Sequence, residues 1–215
     1  MAKVNGHFTA IPAGKVGNLI YSSWKGIGYI RSRPESVNNP RTPAQTLNRN
    51  RFKTVMNIIS PITDFIRVGF ASGSIRMSAY NAAVSYNLKH ATETGDEGVK
   101  VLYPKLMFSI GKYPGTVSAG IEKEENGKIR IVWECNAGNP TDLVAVILAN
   151  ETTGKTTCYQ AIAESGDKQT TIDLPEKAAG FAVHAYISIS PREFRANLQA
   201  LPSVSESRYA GSVVF

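Results

Sequence analysis

The chain has 215 residues, of which 42% are apolar, and its formal net charge is +7. This length and apolar content suffice for one large or two modest domains, so a wholly disordered chain is not expected. No apolar run approaches the roughly 18 residues that span a bilayer, and the first residues lack the apolar core of a secretory signal. With only Cys135 and Cys158, we expect a soluble cytoplasmic product with free thiols.

The positive charge is confined to one end of the chain. Residues 1–60 hold nine Lys and Arg against the single acid Glu35, whereas residues 61–215 hold fifteen against sixteen acids. Such an end suits an acidic protein surface, a nucleic acid or another anionic polymer, and it is also compatible with a merely solvated face. Charge alone does not choose between these partners.

Residues 14–33 predict a pair of β-strands. The segment GKVGNLIYSSWKGIGYIRSR has short apolar and aromatic clusters separated by Gly, Ser and Lys. We place strands near 17–24 and 27–33, with Lys25-Gly26 as the turn, because glycine tolerates the positive φ of tight hairpins. This β-ribbon, residues 17–33, is marginal alone and needs something to pack on.

Helices are predicted after a proline-containing loop at 34–41. Thr42 is a good N-cap, Pro43 suits the first helical position, and Pro61 disfavours continuation of the first helix beyond residue 60. The spacing of apolar residues predicts helices over three ranges: about 43–60, 62–68 and 77–91. We group the ribbon and these helices into a basic N-terminal assembly region, residues 1–115.

Residues 116–215 have the pattern of a β-sandwich. Seven short runs rich in β-branched and aromatic residues follow one another, separated by turn formers such as Gly138-Asn139-Pro140. About seven strands in a hundred residues are typical of immunoglobulin-like sandwiches. In the run KIRIVWEC, alternation predicts that Trp133 is a core residue. The predicted fold class is therefore α+β and β-rich, with an N-terminal β-ribbon plus helices and a C-terminal immunoglobulin-like (fibronectin-III-like) β-sandwich.

The sequence contains no convincing catalytic or metal-binding pattern. The segment ETTGKTT at 151–157 resembles a phosphate-binding loop, but Ala149 occupies the position of the first glycine, and the following TTCYQAIA predicts a strand instead of a helix. The histidines His7, His90 and His184 are isolated. We expect no cofactor, no metal and no enzymatic activity. An unrecognised active site would show itself as a deep pocket with convergent polar groups and shifted pKa values.

The basic and aromatic residues near the N-terminus are the candidate partner-binding residues. Arg, Tyr and Trp are enriched at protein interface hot spots, and the rest of the chain is nearly neutral, which favours protein assembly. The alternative is nucleic-acid binding, in which cations track phosphates while bases stack on aromatic rings. The candidates are Lys15, Tyr21, Trp24, Lys25, Tyr29, Arg31, Arg33 and Arg41.

Several motifs resemble an uncharacterised family of proteins from Bacteroidota and their phages. The shared motifs are a Gly-Lys-x-Gly-Asn strand, a Trp-Lys-Gly turn, an Arg-Ser-x-Pro exit and an Asn-Pro-Arg-Thr-x-x-Gln helix start. The later MSAYNAAVSYNLKHA and SESRYAG also resemble it, so the likeness covers most of the chain. The piece from Asn39 to Arg49 is further similar to a segment of small virion proteins of other tailed phages. The resemblance implies a phage structural protein and brings no established activity.

These observations predict a non-enzymatic structural protein of a tailed-phage virion, as a capsid-associated or decoration protein or as a connector or tail component. It would be synthesised in the bacterial cytoplasm and dock onto other virion structural proteins through its basic N-terminal arm. A homo-oligomer or another symmetric assembly is expected, without membrane contact. Two arrangements stay open for residues 61–115, which could form a separate helical domain or a platform packed under the sandwich.

Overall fold

The structure is a computed structural model that divides into two units, Met1–Thr42 and Pro43–Phe215. It describes residues 2–3, 13–24, 27–74, 77–95, 98–124, 127–136, 138–174, 181–192 and 204–215. Within them the chain is β-rich with three α-helices.

The N-terminal unit is built on a four-stranded antiparallel sheet, here called the N-terminal sheet. Its strands are β1 (Ala2–Lys3), β2 (Gly14–Val16), β3 (Leu19–Trp24) and β4 (Ile27–Ser32), in the order β1-β4-β3-β2. Strands β3 and β4 lie within the ribbon predicted over 17–33. The structure adds β2 because Gly17, with φ 55°, lies in a tight turn before β3 instead of in a strand.

The second unit begins with helices α1 (Pro43–Ile59), α2 (Thr63–Gly69) and α3 (Ala79–His90). Helices α1 and α3 lie within the predicted ranges 43–60 and 77–91, and α2 overlaps the predicted range 62–68 but begins and ends one residue later. The short 3-10 turn Ser60–Ile62 separates α1 from α2, where Pro61 removes a backbone donor. Helix α3 starts later than residue 77 because the Ser78 hydroxyl accepts a bond from the Asn81 backbone N–H at 3.1 Å and caps it.

A two-stranded hairpin, β5 (Thr92–Gly95) and β6 (Gly98–Val101), follows the helices. Seven further antiparallel strands then form two sheets. One has the order β10-β9-β12-β13 and the other has the order β11-β8-β7. Their bounds are β7 Thr116–Lys123, β8 Lys128–Cys135, β9 Leu143–Asn150, β10 Thr156–Glu164, β11 Gln169–Asp173, β12 Ala182–Ser190 and β13 Arg208–Val214.

The two sheets enclose a hydrophobic core. Alternate residues of β8, including Ile129, Ile131 and Trp133, share this core with Val146 of β9 and Ile187 of β12. Trp133 is 2% exposed, which confirms the prediction that it is a core residue. Its indole N–H donates to the Ser165 carbonyl oxygen at 3.1 Å, so the polar atom is also satisfied.

The helices cover the outer face of the four-stranded sheet of this unit. Ile147 of β9 and Tyr186 of β12 belong to a second core together with Val55, Ile58 and Phe70. Strands β9 and β12 are therefore buried on both faces, which explains why LVAVILA is continuously apolar.

This packing bears on the boundary predicted at 115/116. The helical segment shares a core with the sandwich, and the division between the two units falls after Thr42. Of the two arrangements left open for residues 61–115, the structure shows the platform packed against the sandwich sheet. The physical reason is that amphipathic helices bury their apolar faces on the nearest apolar surface.

Candidate partner-binding surface

The register of the N-terminal sheet gathers four of the eight sequence-predicted binding residues on one face. Directly paired residues of antiparallel strands project to the same side. Lys15 pairs with Ile20, and Ile20 pairs with Arg31. Two residues further along β3, and so on the same face, Ser22 pairs with Tyr29. This side, here called the basic face, comprises Lys15, Ile20, Ser22, Trp24, Ile27, Tyr29 and Arg31.

Two of the aromatic candidates point to opposite sides of β3. Tyr21 is three residues from Trp24, so alternation places it on the other face, where it pairs with Gly14 and Ile30. The structure thus does not bring Tyr21 together with the cations. Lys25, predicted in the turn, lies outside the described residues.

The two remaining candidates follow the sheet. Arg33 comes directly after β4, and its backbone N–H donates to the Asn18 carbonyl oxygen at 2.7 Å, which continues the pairing of the hairpin. Its side chain therefore follows Arg31 on the basic face by alternation. Arg41 is exposed and has a positive φ of 49°, two residues before α1 begins. Arg41 is not a member of the basic face.

The basic face is accessible to a partner. Trp24 is 53% exposed and Ile27, its cross-strand neighbour, is 38% exposed. Lys15, Arg31 and Arg33 are exposed and take part in none of the ion pairs found among the described residues. Cations that form no ion pair with the described residues, on the same face as a half-exposed indole ring, are able to form charge-assisted hydrogen bonds while the ring is buried.

The glycine-lysine segment at 151–157 is a β-hairpin turn. It connects β9 to β10, and Gly154 has a φ of 63°, a conformation that glycine adopts without strain. The Asn150 side-chain oxygen accepts the Thr153 backbone N–H at 2.9 Å and fixes the turn. No helix follows, so the segment lacks the anion-binding geometry of a phosphate loop.

A polar cluster around His184 is the feature that sequence reasoning missed. His184 Nε2 lies 3.3 Å from Glu151 Oε2, and Nδ1 lies 3.0 Å from the Tyr209 hydroxyl. The imidazole stacks on the Tyr103 ring at 4.1 Å between centroids. Glu151 and Tyr209 are 33 and 25 residues away from His184 in the sequence, so no local motif indicates these contacts.

Electrostatics indicate that this cluster is structural. Burial lowers the pKa of His184, although the hydrogen bond to Glu151 opposes the shift, so the Glu151 contact is a bond from a neutral imidazole at neutral pH. Burial, with a smaller contribution from Glu151, raises the pKa of Tyr103 to about 12. Tyr103 and Glu151 line a surface cleft of about 950 Å³, but His184 does not, so the imidazole is not presented to a ligand there.

The described residues offer neither a metal cluster nor a membrane-spanning helix. Among the described residues, no group of three or more His, Cys, Asp and Glu is placed to hold a metal ion. Over the same residues, no helix is long and apolar enough to cross a bilayer. Cys135 and Cys158 are free, and burial raises the pKa of Cys158 to about 12.

Comparison with known proteins identifies the family. The chain has no match among curated proteins. Among solved structures, it is similar to the fibronectin type III domain of the human collagen alpha-1(XX) chain, with 17% identity and a TM-score of 0.31, over 49% of this chain and 83% of that one. The model of a family of unknown function, DUF6266, matches residues 11–195. The chain therefore belongs to the DUF6266 family.

Proposed function

We propose that this protein is a non-enzymatic structural component of a tailed-phage virion, and that its basic face docks it onto another virion protein. The observation that carries the proposal is the register that places Lys15, Arg31, Trp24 and Tyr29 on one exposed side of a sheet. The motif resemblance to phage proteins supplies the virion context.

The basic face has the composition of an interface hot spot. A buried Trp side chain contributes 150–250 Å², and Trp24 is still 53% exposed. Covering the remaining surface removes roughly 100 Å² from water, which is worth about 2.5 kcal/mol. Arg31 and Arg33 add charge-assisted hydrogen bonds to carboxylates, which give the contact its preference for an acidic partner.

The second unit supplies the outward module in this proposal. One of its sheets contains β7, β8 and β11, which are the first, second and fifth strands of the sandwich. The other sheet contains β9, β10, β12 and β13, which are the third, fourth, sixth and seventh. The fourth strand, β10, pairs with β9 and not with β11, which supports a fibronectin-III-like arrangement over that of immunoglobulin constant domains. We place this unit on the outside of the particle by fold-level analogy, since a fold alone does not fix a function.

Particle incorporation tests the proposal. We expect that deletion of residues 1–41 abolishes incorporation into purified particles, as measured by copy number in quantitative mass spectrometry. Arg31→Glu is expected to lower the copy number at least about tenfold, the equivalent of 1.4 kcal/mol. Arg67→Glu is the matched control, because Arg67 is exposed on α2 and its one ion pair within the described part of the chain is with the exposed Asp64. Wild-type copy number of the deletion variant would refute docking through this region.

Nucleic-acid binding is the second candidate function. The observation in its favour is that Lys15 and Arg31 flank Ile20 across the sheet, with Tyr29 in the next row of the same face and Trp24 in the row after that. Such a face can track phosphates and stack bases. Fluorescence anisotropy with labelled single-stranded DNA tests it. Binding that weakens steeply between about 50 and 200 mM salt, and that Arg31→Glu removes, would favour this function over protein docking.

A further inference from the structure

The side of the N-terminal sheet opposite to the basic face carries no charge among its described residues. Its members follow from the pairing of Tyr21 with Gly14 and Ile30, and of Leu19 with Val16 and Ser32. This side, here called the uncharged face, comprises Gly14, Val16, Leu19, Tyr21, Ser23, Gly28, Ile30 and Ser32.

The uncharged face exposes apolar side chains to water. Val16 is 68% exposed and Leu19 is 42% exposed. Of the nine large hydrophobic residues exposed in the described part of the chain, these two lie on the uncharged face, and Trp24 and Ile27 lie on the basic face. Both hydrophobic cores identified among the described residues lie in Pro43–Phe215. A small sheet that exposes apolar side chains gains stability when another surface covers them.

We propose that a second copy of this chain covers the uncharged face, so that two N-terminal sheets pack face to face in a two-fold dimer. The charges of the sheet decide this orientation. Packing through the basic faces would bring Lys15 and Arg31 of the two copies together, at a cost in repulsion. Packing through the uncharged faces leaves these cations on the two outer sides, where both copies keep a basic face for another partner.

The uncharged side also matches itself chemically. A two-fold interface uses the same patch on both copies, so an uncharged apolar patch is self-complementary without paired opposite charges. Stacked sheets approach to about 10 Å, which lets Leu19 and Val16 interdigitate with their counterparts. The dimer does not depend on which partner the basic face binds, so it goes beyond the proposed docking function.

The size of the face sets the expected affinity. Strands β3 and β4 have six residues each, and β1 and β2 have two and three. At about 4.8 Å between strands and about 3.3 Å per residue, one face covers roughly 270 Å². Two such faces bury on the order of 500 Å², well below the 1,200–2,000 Å² of standard stable interfaces. We therefore expect a weak dimer in dilute solution, with a dissociation constant in the range of about 10 μM to 1 mM, strengthened where copies are held side by side in an assembly.

Adjacent serines provide a matched crosslinking experiment on the purified full chain. Ser23 lies on the uncharged face and Ser22, its neighbour on β3, lies on the basic face. In the dimer, Ser23→Cys is expected to form a covalent dimer with a short bis-maleimide that spans about 10 Å. Ser22→Cys places its thiol on the basic face, away from the dimer interface. Its yield of covalent dimer is expected to equal that of the parent chain, in which only Cys135 and Cys158 can react. Equal crosslinking of the two variants would overturn the proposal.

Sedimentation of the same purified chain gives an independent result. We expect a concentration-dependent dimer between about 1 μM and 1 mM, its loss in Leu19→Asp, and its retention in Arg31→Glu. A wild-type chain that stays monomeric over this concentration range would overturn the dimer, even if another part of the same chain covers the uncharged face. If Arg31→Glu still dimerises but no longer enters particles, the result supports both the dimer and docking through the basic face, and it shows that the two are independent. If Leu19→Asp fails to fold, the serine pair still decides.

Discussion

Asn87 is expected to be a principal link between the helices and the chain that follows them. It is fully buried on α3. Its Nδ2 donates to the Met107 carbonyl oxygen at 2.8 Å and to the Ala83 carbonyl oxygen at 3.0 Å, and the Met107 backbone N–H donates to Asn87 Oδ1 at 2.9 Å. One amide thus satisfies both backbone groups of Met107.

The substitution Asn87→Ala removes these bonds and leaves the Met107 N–H and C=O without their partner. An unsatisfied buried group costs about 1–3 kcal/mol. Two such groups, together with the small cavity left by the side chain, give an expected loss of about 3 kcal/mol in the free energy of unfolding. Asn81→Ala is the matched control, because Asn81 is exposed on the same helix, and it is expected to change stability by less than about 0.5 kcal/mol.

Urea unfolding, followed by far-UV circular dichroism and by the emission of the buried Trp133, measures both variants. With an m-value of about 2 kcal/mol/M, the midpoint of Asn87→Ala is expected to fall by about 1.5 M at an unchanged m-value. A midpoint within about 0.25 M of the wild type would refute the reasoning. It would mean that the backbone of Met107 finds equivalent partners without the amide.

Three further predictions concern packing, pH and thiol chemistry. Gly111→Ala places a Cβ 1.7 Å from the Val204 carbonyl oxygen and is expected to cost at least about 2 kcal/mol in urea unfolding, whereas Gly95→Ala, with nothing within 4 Å, is expected to be nearly neutral. Because burial lowers the pKa of His184 in the folded state, the unfolded state binds the proton more tightly. The free energy of unfolding is therefore highest above the ordinary histidine pKa of about 6.5 and falls as the pH drops below it. The substitution His184→Gln is expected to flatten this part of the profile of stability against pH, as measured by urea unfolding. With its pKa raised to about 12, Cys158 is expected to resist iodoacetamide at pH 8 in the folded chain and to react in urea, as read by peptide mass spectrometry.

The candidate surface was only partly predictable from the sequence. Once β3 is a strand, alternation alone places Tyr21 and Trp24 on opposite faces. Whether Arg31 and Tyr29 lie on the same face as Trp24 depends on the length of the connection between β3 and β4, which is two residues. A connection one residue longer or shorter would exchange the faces of the paired strand. The grouping of basic and aromatic residues therefore predicted which side chains matter, and the register decided which of them act together.

The cluster around His184 shows the opposite limit. Glu151, Tyr103 and Tyr209 come from a turn after β9, a 3-10 turn and the last strand, and each is polar or aromatic without any local pattern. Their contacts arise only when β12 lies between β9 and β13 and the Tyr103 ring stacks on His184. Sequence spacing carries no information about such contacts, since the separations are set by the topology of the sheets.

Local sequence signals suffice to predict three elements: the hairpin of β3 and β4, the helix that begins at Pro43, and the buried strand of Trp133. Glycine turns, helix caps and period-two alternation act over a few neighbouring residues, so they can be read in the chain. The core that the helices share with the sandwich depends instead on packing between segments that are distant in sequence. The run LVAVILA requires burial on both of its faces, but an apolar run is equally satisfied by a helix, a second sheet or another chain. Packing in three dimensions selects the helices, because they present apolar faces of matching size within the same unit.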